Sequence, residues 1–259
     1  MNDVMGKRID EIVDRIVKSC ITDLLYESQG ILHQSMQDLG KEITSKLMAQ
    51  PNCDNFYINI DDNHYNIPFD KIFIVIVNGF GRGFRGTNFA SGYNKDGFPM
   101  IGVRKSGLTK MVRANAYNRI YAGIFHELTH IVDMNAKSNL ERENNNKESI
   151  ASKLPSSEIA TELSYYLKQT EQNARINEFY AYISSIMDNN LLTKQQLNSL
   201  IEKEKELTLY YYTIQKYLNE LRDSNINPEW YKKLIYEFDR YKRRVDKVIV
   251  LLYQKLGSA

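Results

Sequence analysis

The chain is poor in several residue types, and each shortage excludes something. Its 259 residues include four histidines, two cysteines, five prolines and one tryptophan. The cysteines, Cys20 and Cys53, are too few and too far apart for a disulfide framework or a cysteine-based zinc site. Cys20 lies on an apolar helical stripe and reads as a small buried hydrophobe. Charge of one sign is also missing: 34 Lys and Arg against 32 Asp and Glu leave a net +2. So even a balance carries no bulk signature of nucleic-acid binding. The longest apolar runs, Phe73–Val77 and Val248–Leu252, fall far short of the ~20 residues of a membrane span. The first residues, MNDVMGKRIDEIV, contain no apolar stretch of the signal-peptide kind. The expectation is a soluble, cytoplasmic chain with neither membrane nor nucleic acid as partner.

What remains is ordinary globular material. A hydrophobic fraction of 42% with 25% charged residues is enough to build a core, and the length suits one large domain or two small ones. Ile9, Ile12, Val13, Ile16, Val17, Cys20, Ile21, Leu24 and Leu25 recur at helical spacing, and a second helix follows from about Ile31 to Met48. Phe56–Ile60 alternates and precedes turn residues, which predicts a hairpin with His64–Pro68. Lys71–Val77 reads as a buried strand, residues 79–98 as a mobile loop, and Pro99–Arg104 as a short strand. From about Thr109 the chain is helical. Thr193 with Gln196 forms a capping box that opens a long helix to about Asp223. Asn227-Pro228 then starts a last helix to about Leu256. The expected fold is α+β: a small mixed sheet packed on one central helix, with long flanking helices and a carboxy-terminal antiparallel helical hairpin. Expected divisions are a helical arm at 1–50, a metal-binding domain at 51–190 and the hairpin at 191–259.

The central helix carries His126-Glu127-Leu128-Thr129-His130, an H-E-x-x-H pentapeptide. Residues four apart share a helix face, so His126 and His130 can hold one Zn²⁺, with Glu127 placed to take a proton from bound water. Four histidines yield such a spacing by chance roughly once in a few hundred chains of this composition. Tyr117, Tyr121, Ile124, Leu128 and Ile131 form the apolar face of the helix, and Arg119, His126, His130 and Asp133 another face. Two histidines leave a protein zinc site incomplete. No third histidine follows closely, since Ile131-Val132-Asp133-Met134-Asn135-Ala136 comes next. A carboxylate on a later helix remains. Glu171 is the first candidate and Glu178, seven residues on, the alternative; Glu158 and Glu162 are further options. Ala174 and Ala181 between and beyond them permit close helix approach. Asp133 is the candidate second-shell acceptor for a histidine ring N–H.

These residues resemble the gluzincin branch of the zincin metallopeptidases, and HELTH is also the pentapeptide of thermolysin-like peptidases. The run Glu171-Gln172-Asn173-Ala174-Arg175 resembles the third-ligand helix of small bacterial and phage-borne zincin-like proteins. The resemblance covers Tyr117 to Tyr182. It implies a zinc-dependent endopeptidase acting on a protein or peptide, with Glu127 as general base and a Tyr, Arg or His steadying the oxyanion. Tyr165, Tyr166, Tyr180 and Arg175 are open candidates for that donor, and Phe98–Arg104 for the edge strand that binds substrate. The alternative is a non-catalytic assembly protein, for example of a phage particle, that keeps the metal site and docks partners through its terminal helices. A virion location would go with that source.

Two further signals are discounted. Gly81–Gly86 matches G-x-G-x-x-G but opens no helix, so it reads as a flap and not as a nucleotide site. Lys242-Arg243-Arg244 reads as a solvated helix face.

Overall fold

A computed structural model describes residues 30–50, 55–60, 69–80, 87–134, 149–154, 157–223 and 227–257. The helix expected over Ile9–Leu25, the His64–Pro68 strand, the Gly81–Gly86 loop and Cys53 lie outside these residues.

Helix α1 (Gly30–Ala49) is followed by strands β1 (Phe56–Asn59), β2 (Lys71–Val77), β3 (Phe89–Tyr93) and β4 (Pro99–Arg104). They form one mixed sheet in the order β1-β2-β4-β3. β2 and β4 run parallel, while β1 and β3 are antiparallel to their neighbours. Period-two alternation turns Ile72 and Ile74 of β2 and Ile101 and Val103 of β4 inward, where all four are fully buried. β1 pairs with β2, from Phe56 opposite Ile74 to Asn59 opposite Lys71; its expected hairpin partner lies outside the described residues.

β3 lies inside the stretch read as a loop. Its sequence, FASGY, has no alternation and little β-branched bulk, so it forms through pairing with β4 and not through local preference. The signal for it was the turn. Asp96-Gly97 is hairpin chemistry; Gly97 sits at φ +80°, and the Asn94 side chain accepts from the backbone N–H of Asp96 and Phe98.

Helices fill the remainder: α2 (Lys105–Arg113), α3 (Tyr117–Met134), a 3-10 turn at Ile150–Lys153, α4 (Glu158–Tyr166), α5 (Gln169–Asn189), α6 (Lys194–Leu207), α7 (Tyr211–Asp223) and α8 (Pro228–Gly257). Both bonds of the Thr193–Gln196 capping box are made, and the Asn227 side chain accepts from Glu229 N–H at the start of α8. Two helices expected to be continuous are broken. Asn115 at φ 51° separates α2 from α3, and Tyr210 at φ 55° separates α6 from α7. Asparagine enters the left-handed region readily; a tyrosine there is held by its packing.

Two apolar cores result. The first joins Leu39, Ile43 and Leu47 of α1, the inner face of the sheet, and Ile120, Ile124, Phe125, Leu128 and Ile131 of α3. The second joins Leu163 of α4, Ile176, Phe179 and Ile183 of α5, and the apolar stripes of α6, α7 and α8. Each fully buried Leu or Ile contributes ~1.5–3 kcal/mol. α3 and α5 lie at the boundary between the cores and pack against each other along their length.

A partly buried ion pair ties the metal-motif helix to the second core. Arg119 of α3 donates to both carboxylate oxygens of Glu204 on α6, at 2.8 and 2.5 Å, and its guanidinium lies 3.6 Å over the Tyr182 ring. Glu204 is fully buried and accepts a further bond from Thr208. Removing one partner of a buried pair costs about 3–5 kcal/mol, because the other charge is stranded. Arg119→Ala is therefore expected to lower stability by that amount in urea unfolding. A loss below about 1 kcal/mol would show that Glu204 finds other partners.

Candidate metal centre

The helix α3 buries nearly every residue around His126. On one side Gly123, a turn earlier, lets β3 lie flush: a Cβ there would sit 2.5 Å from the Phe89 ring. On the other side α5 runs antiparallel, and the two helices are joined rung by rung. His126 meets Glu178, Thr129 Oγ1 accepts from Asn177, His130 meets Glu171, and Asp133 accepts from Asn173. Ala174 and Ala181 are buried on this helix, so no large side chain holds the backbones apart.

Three ligand-type atoms converge between the helices. His126 Nε2 and His130 Nε2 are 3.1 Å apart. Glu171 Oε2 is 3.4 Å from His130 Nε2, and Glu171 Oε1 is 3.9 Å from His126 Nε2. One atom from each residue falls within 4.8 Å of the others, so His126, His130 and Glu171 form a group that can hold a metal ion. His126 and Glu171 are 8% and 4% exposed, which limits competition from water.

The remaining histidine nitrogen shows how the group is prepared. His126 Nδ1 lies 2.9 Å from Glu178 Oε2. A carboxylate only accepts, so Nδ1 carries a proton, and Nε2 is the ring nitrogen left to bind an ion beside His130 and Glu171. Two imidazole nitrogens 3.1 Å apart with no proton or cation between them would repel. The donor set is borderline-soft nitrogen plus carboxylate oxygen, which fits a first-row divalent ion.

The ionisation of these groups follows from their contacts. Burial opposes a charged His126, but the hydrogen bond to Glu178 and the charges of Glu178, Glu171 and Glu127 outweigh it and raise its pKa. Burial pushes Glu171 up, yet the His130 hydrogen bond and the His126 and Arg175 charges hold it well below the usual carboxylate range. Glu178 is lowered for the same kind of reason, its bond to His126 overcoming burial.

Each residue singled out from the sequence now has a place. His126, His130 and Glu171 face one another, and Glu127 is on the same helix and 8% exposed. Glu178 stands behind His126 instead of beside Glu171 at the gap. Asp133 had been given the role of histidine acceptor. It is 3% exposed and accepts from Asn173 at 2.9 Å, and Glu178 is the carboxylate bonded to His126. Of the oxyanion candidates, Tyr165 is close enough to Glu171 and Arg175 to feel both charges. Burial first, then the Glu171 charge, raise its pKa. Tyr166 stacks on Tyr210, and Tyr180 packs against the second core. Arg175 is held between Glu171 and Glu178.

Two sequence readings change. Phe98–Arg104 is not an edge: β4 lies between β2 and β3, and among the described residues β3 is the terminal strand beside α3. Arg244 is no solvated charge: it donates to Gln172 and Asn173 of α5, which in turn reaches Asp133. The spacing that carried this information was Asn173 with Glu171, all on the first turn and a half of α5. Its meaning depended on α8 arriving alongside.

No helix among the described residues is long and apolar enough to cross a membrane. No protein-family model, curated protein or solved structure matches the chain.

Proposed function

We propose that the protein is a zinc-dependent metallopeptidase that hydrolyses peptide bonds. The observation that carries the reading is the convergence of both histidines of H-E-x-x-H with Glu171, a carboxylate 41 positions beyond His130 by subtraction of their numbers. Chance pairing of a histidine motif on one helix with a buried glutamate of another does not require Nε2, Nε2 and Oε2 to point into one gap. Two imidazoles and a carboxylate are the donor set of catalytic zinc sites that keep a position open.

When bound, zinc supplies Lewis acidity: it polarises a carbonyl and lowers the pKa of water. The residues of this chain do the rest. Glu127, next to His126, accepts the proton of the attacking water and hands it to the leaving amine as the C–N bond breaks. Glu178 keeps His126 in the tautomer that offers Nε2. Tyr165, a phenol at the rim and 46% exposed, is the best-placed donor for the developing oxyanion. The outer edge of β3 can pair with an extended peptide by strand addition, beside α3 and a turn from His126. The burial of His126 and Glu171 favours proton transfer over leakage to bulk water.

Purified protein is expected to hold about one zinc per chain and to cleave members of a broad peptide library. A chelator should stop cleavage, and added Zn²⁺ should restore it. Absence of zinc would reject the reading. Bound zinc with no cleavage would favour the assembly role, in which the terminal helices dock a partner and the metal is structural.

A further inference from the structure

We propose that Arg175 is a positioning residue of the metal centre, which holds Glu171 as a one-oxygen ligand and couples it to the carboxylate behind His126. The inference rests on the metal-binding part of the reading above. Arg175 Nε donates to Glu171 Oε1 at 2.7 Å. Its Nη1 reaches Glu178 Oε2 at 3.4 Å, the same oxygen that bonds His126 Nδ1. A closed ring of contacts therefore runs from Glu171 through Arg175 and Glu178 to His126 and back across the gap. One guanidinium orients two of the three ligands.

The geometry also selects the oxygen. With Oε1 held by Arg175, Glu171 offers Oε2, the oxygen 3.4 Å from His130 Nε2. A carboxylate held in this way cannot readily chelate with both oxygens, so a coordination position is left for water or substrate. The planar fork is what the task requires: Arg presents donors in fixed directions to two carboxylates, whereas Lys is a single mobile point charge. The fork is itself held in place. The guanidinium lies 4.7 Å from the Tyr210 ring centre, and Tyr210 is the residue at φ 55° that breaks α6 from α7. The break thus delivers an aromatic platform from the second core to the metal site. Tyr166 stacks on that ring at 4.8 Å between centres.

Charge and position predict opposite signs. A guanidinium near a divalent cation repels it, so if charge were the whole contribution, removing Arg175 would tighten metal binding. If positioning dominates, removing it frees Glu171 and loosens His126, and outer-shell losses of this kind weaken metal binding by about 10–100-fold.

The test compares wild type, Arg175→Met and Arg175→Lys by titration with Zn²⁺ and by the visible absorption of the Co²⁺ form. That absorption is strong for four ligands and weak for six. Both variants are expected to bind Zn²⁺ about 10–100-fold more weakly, Lys because it keeps the repulsion without the fork. The Co²⁺ band should weaken as Glu171 chelates with both oxygens. Equal or tighter binding by Arg175→Met, with an unchanged Co²⁺ spectrum, overturns the proposal. Circular dichroism checks the fold. If Arg175→Met unfolds, Arg175→Lys keeps the buried carboxylates paired. Tyr210→Asn, which suits the left-handed backbone and removes the platform, carries the same test. Failure of wild type to bind either ion rejects the metal site itself; binding by wild type with unaffected variants rejects only the role of Arg175.

Discussion

Glu127→Gln is expected to retain a full equivalent of zinc and to lose about 100- to 10,000-fold in kcat, the usual contribution of a positioned general base. The substitution is nearly isosteric. It leaves His126, His130, Glu171 and the fold in place and removes only the ability to accept a proton. Glu127 is 8% exposed on the helix that carries both histidines, so its carboxylate is fixed by the same backbone that fixes the ligands. KM should change little if, as proposed, substrate binds through the edge of β3, which does not involve it. Zinc content equal to wild type with full activity would show that another group is the base. A joint loss of zinc and activity would place Glu127 among the ligands.

Glu171→Ala and Glu178→Ala should separate cleanly in zinc titrations. Glu171→Ala removes an oxygen from the converging group, leaving two histidines, and should abolish stoichiometric binding at micromolar zinc. Glu178→Ala removes the acceptor 2.9 Å from His126 Nδ1 but no atom that faces the gap. It should weaken binding by about 10–100-fold and leave the site occupiable. Each variant also removes one of the two carboxylates that hold Arg175, so the comparison between them is the informative quantity. The opposite order, with Glu178→Ala the more damaging, would exchange the roles of the two glutamates.

The expected separation shows what the amino-acid sequence carried and what it did not. The pentapeptide on an amphipathic helix is local information: His126, Glu127 and His130 are placed by helix geometry alone. So are the inward faces of β2 and β4 and the capping box at Thr193. Glu171 and Glu178 were both visible as helix-face carboxylates seven apart. Spacing could not assign them, because two turns of α5 present both toward α3. Assignment came from packing, where the antiparallel meeting of α3 and α5 sets Glu171 level with His130 and Glu178 level with His126. Asp133 also takes its place through packing. Its helical position allows contact with a histidine, and Asn173 from α5 donates to it, held in turn by Arg244 from α8. The role of Tyr210 had no sequence signal, because Tyr166 and Arg175, which pack on its ring, come from elements distant in sequence. β3 was hidden because its strand character comes from β4.

The most direct measurement is the coordination sphere of the ion in the purified, zinc-loaded protein, read from anomalous diffraction at the zinc edge. The expected result is one zinc between α3 and α5, at about 2.0–2.2 Å from His126 Nε2, His130 Nε2 and one oxygen of Glu171, with a non-protein fourth ligand. A zinc bound elsewhere, or one whose sphere lacks either histidine, would contradict the assignment of this site.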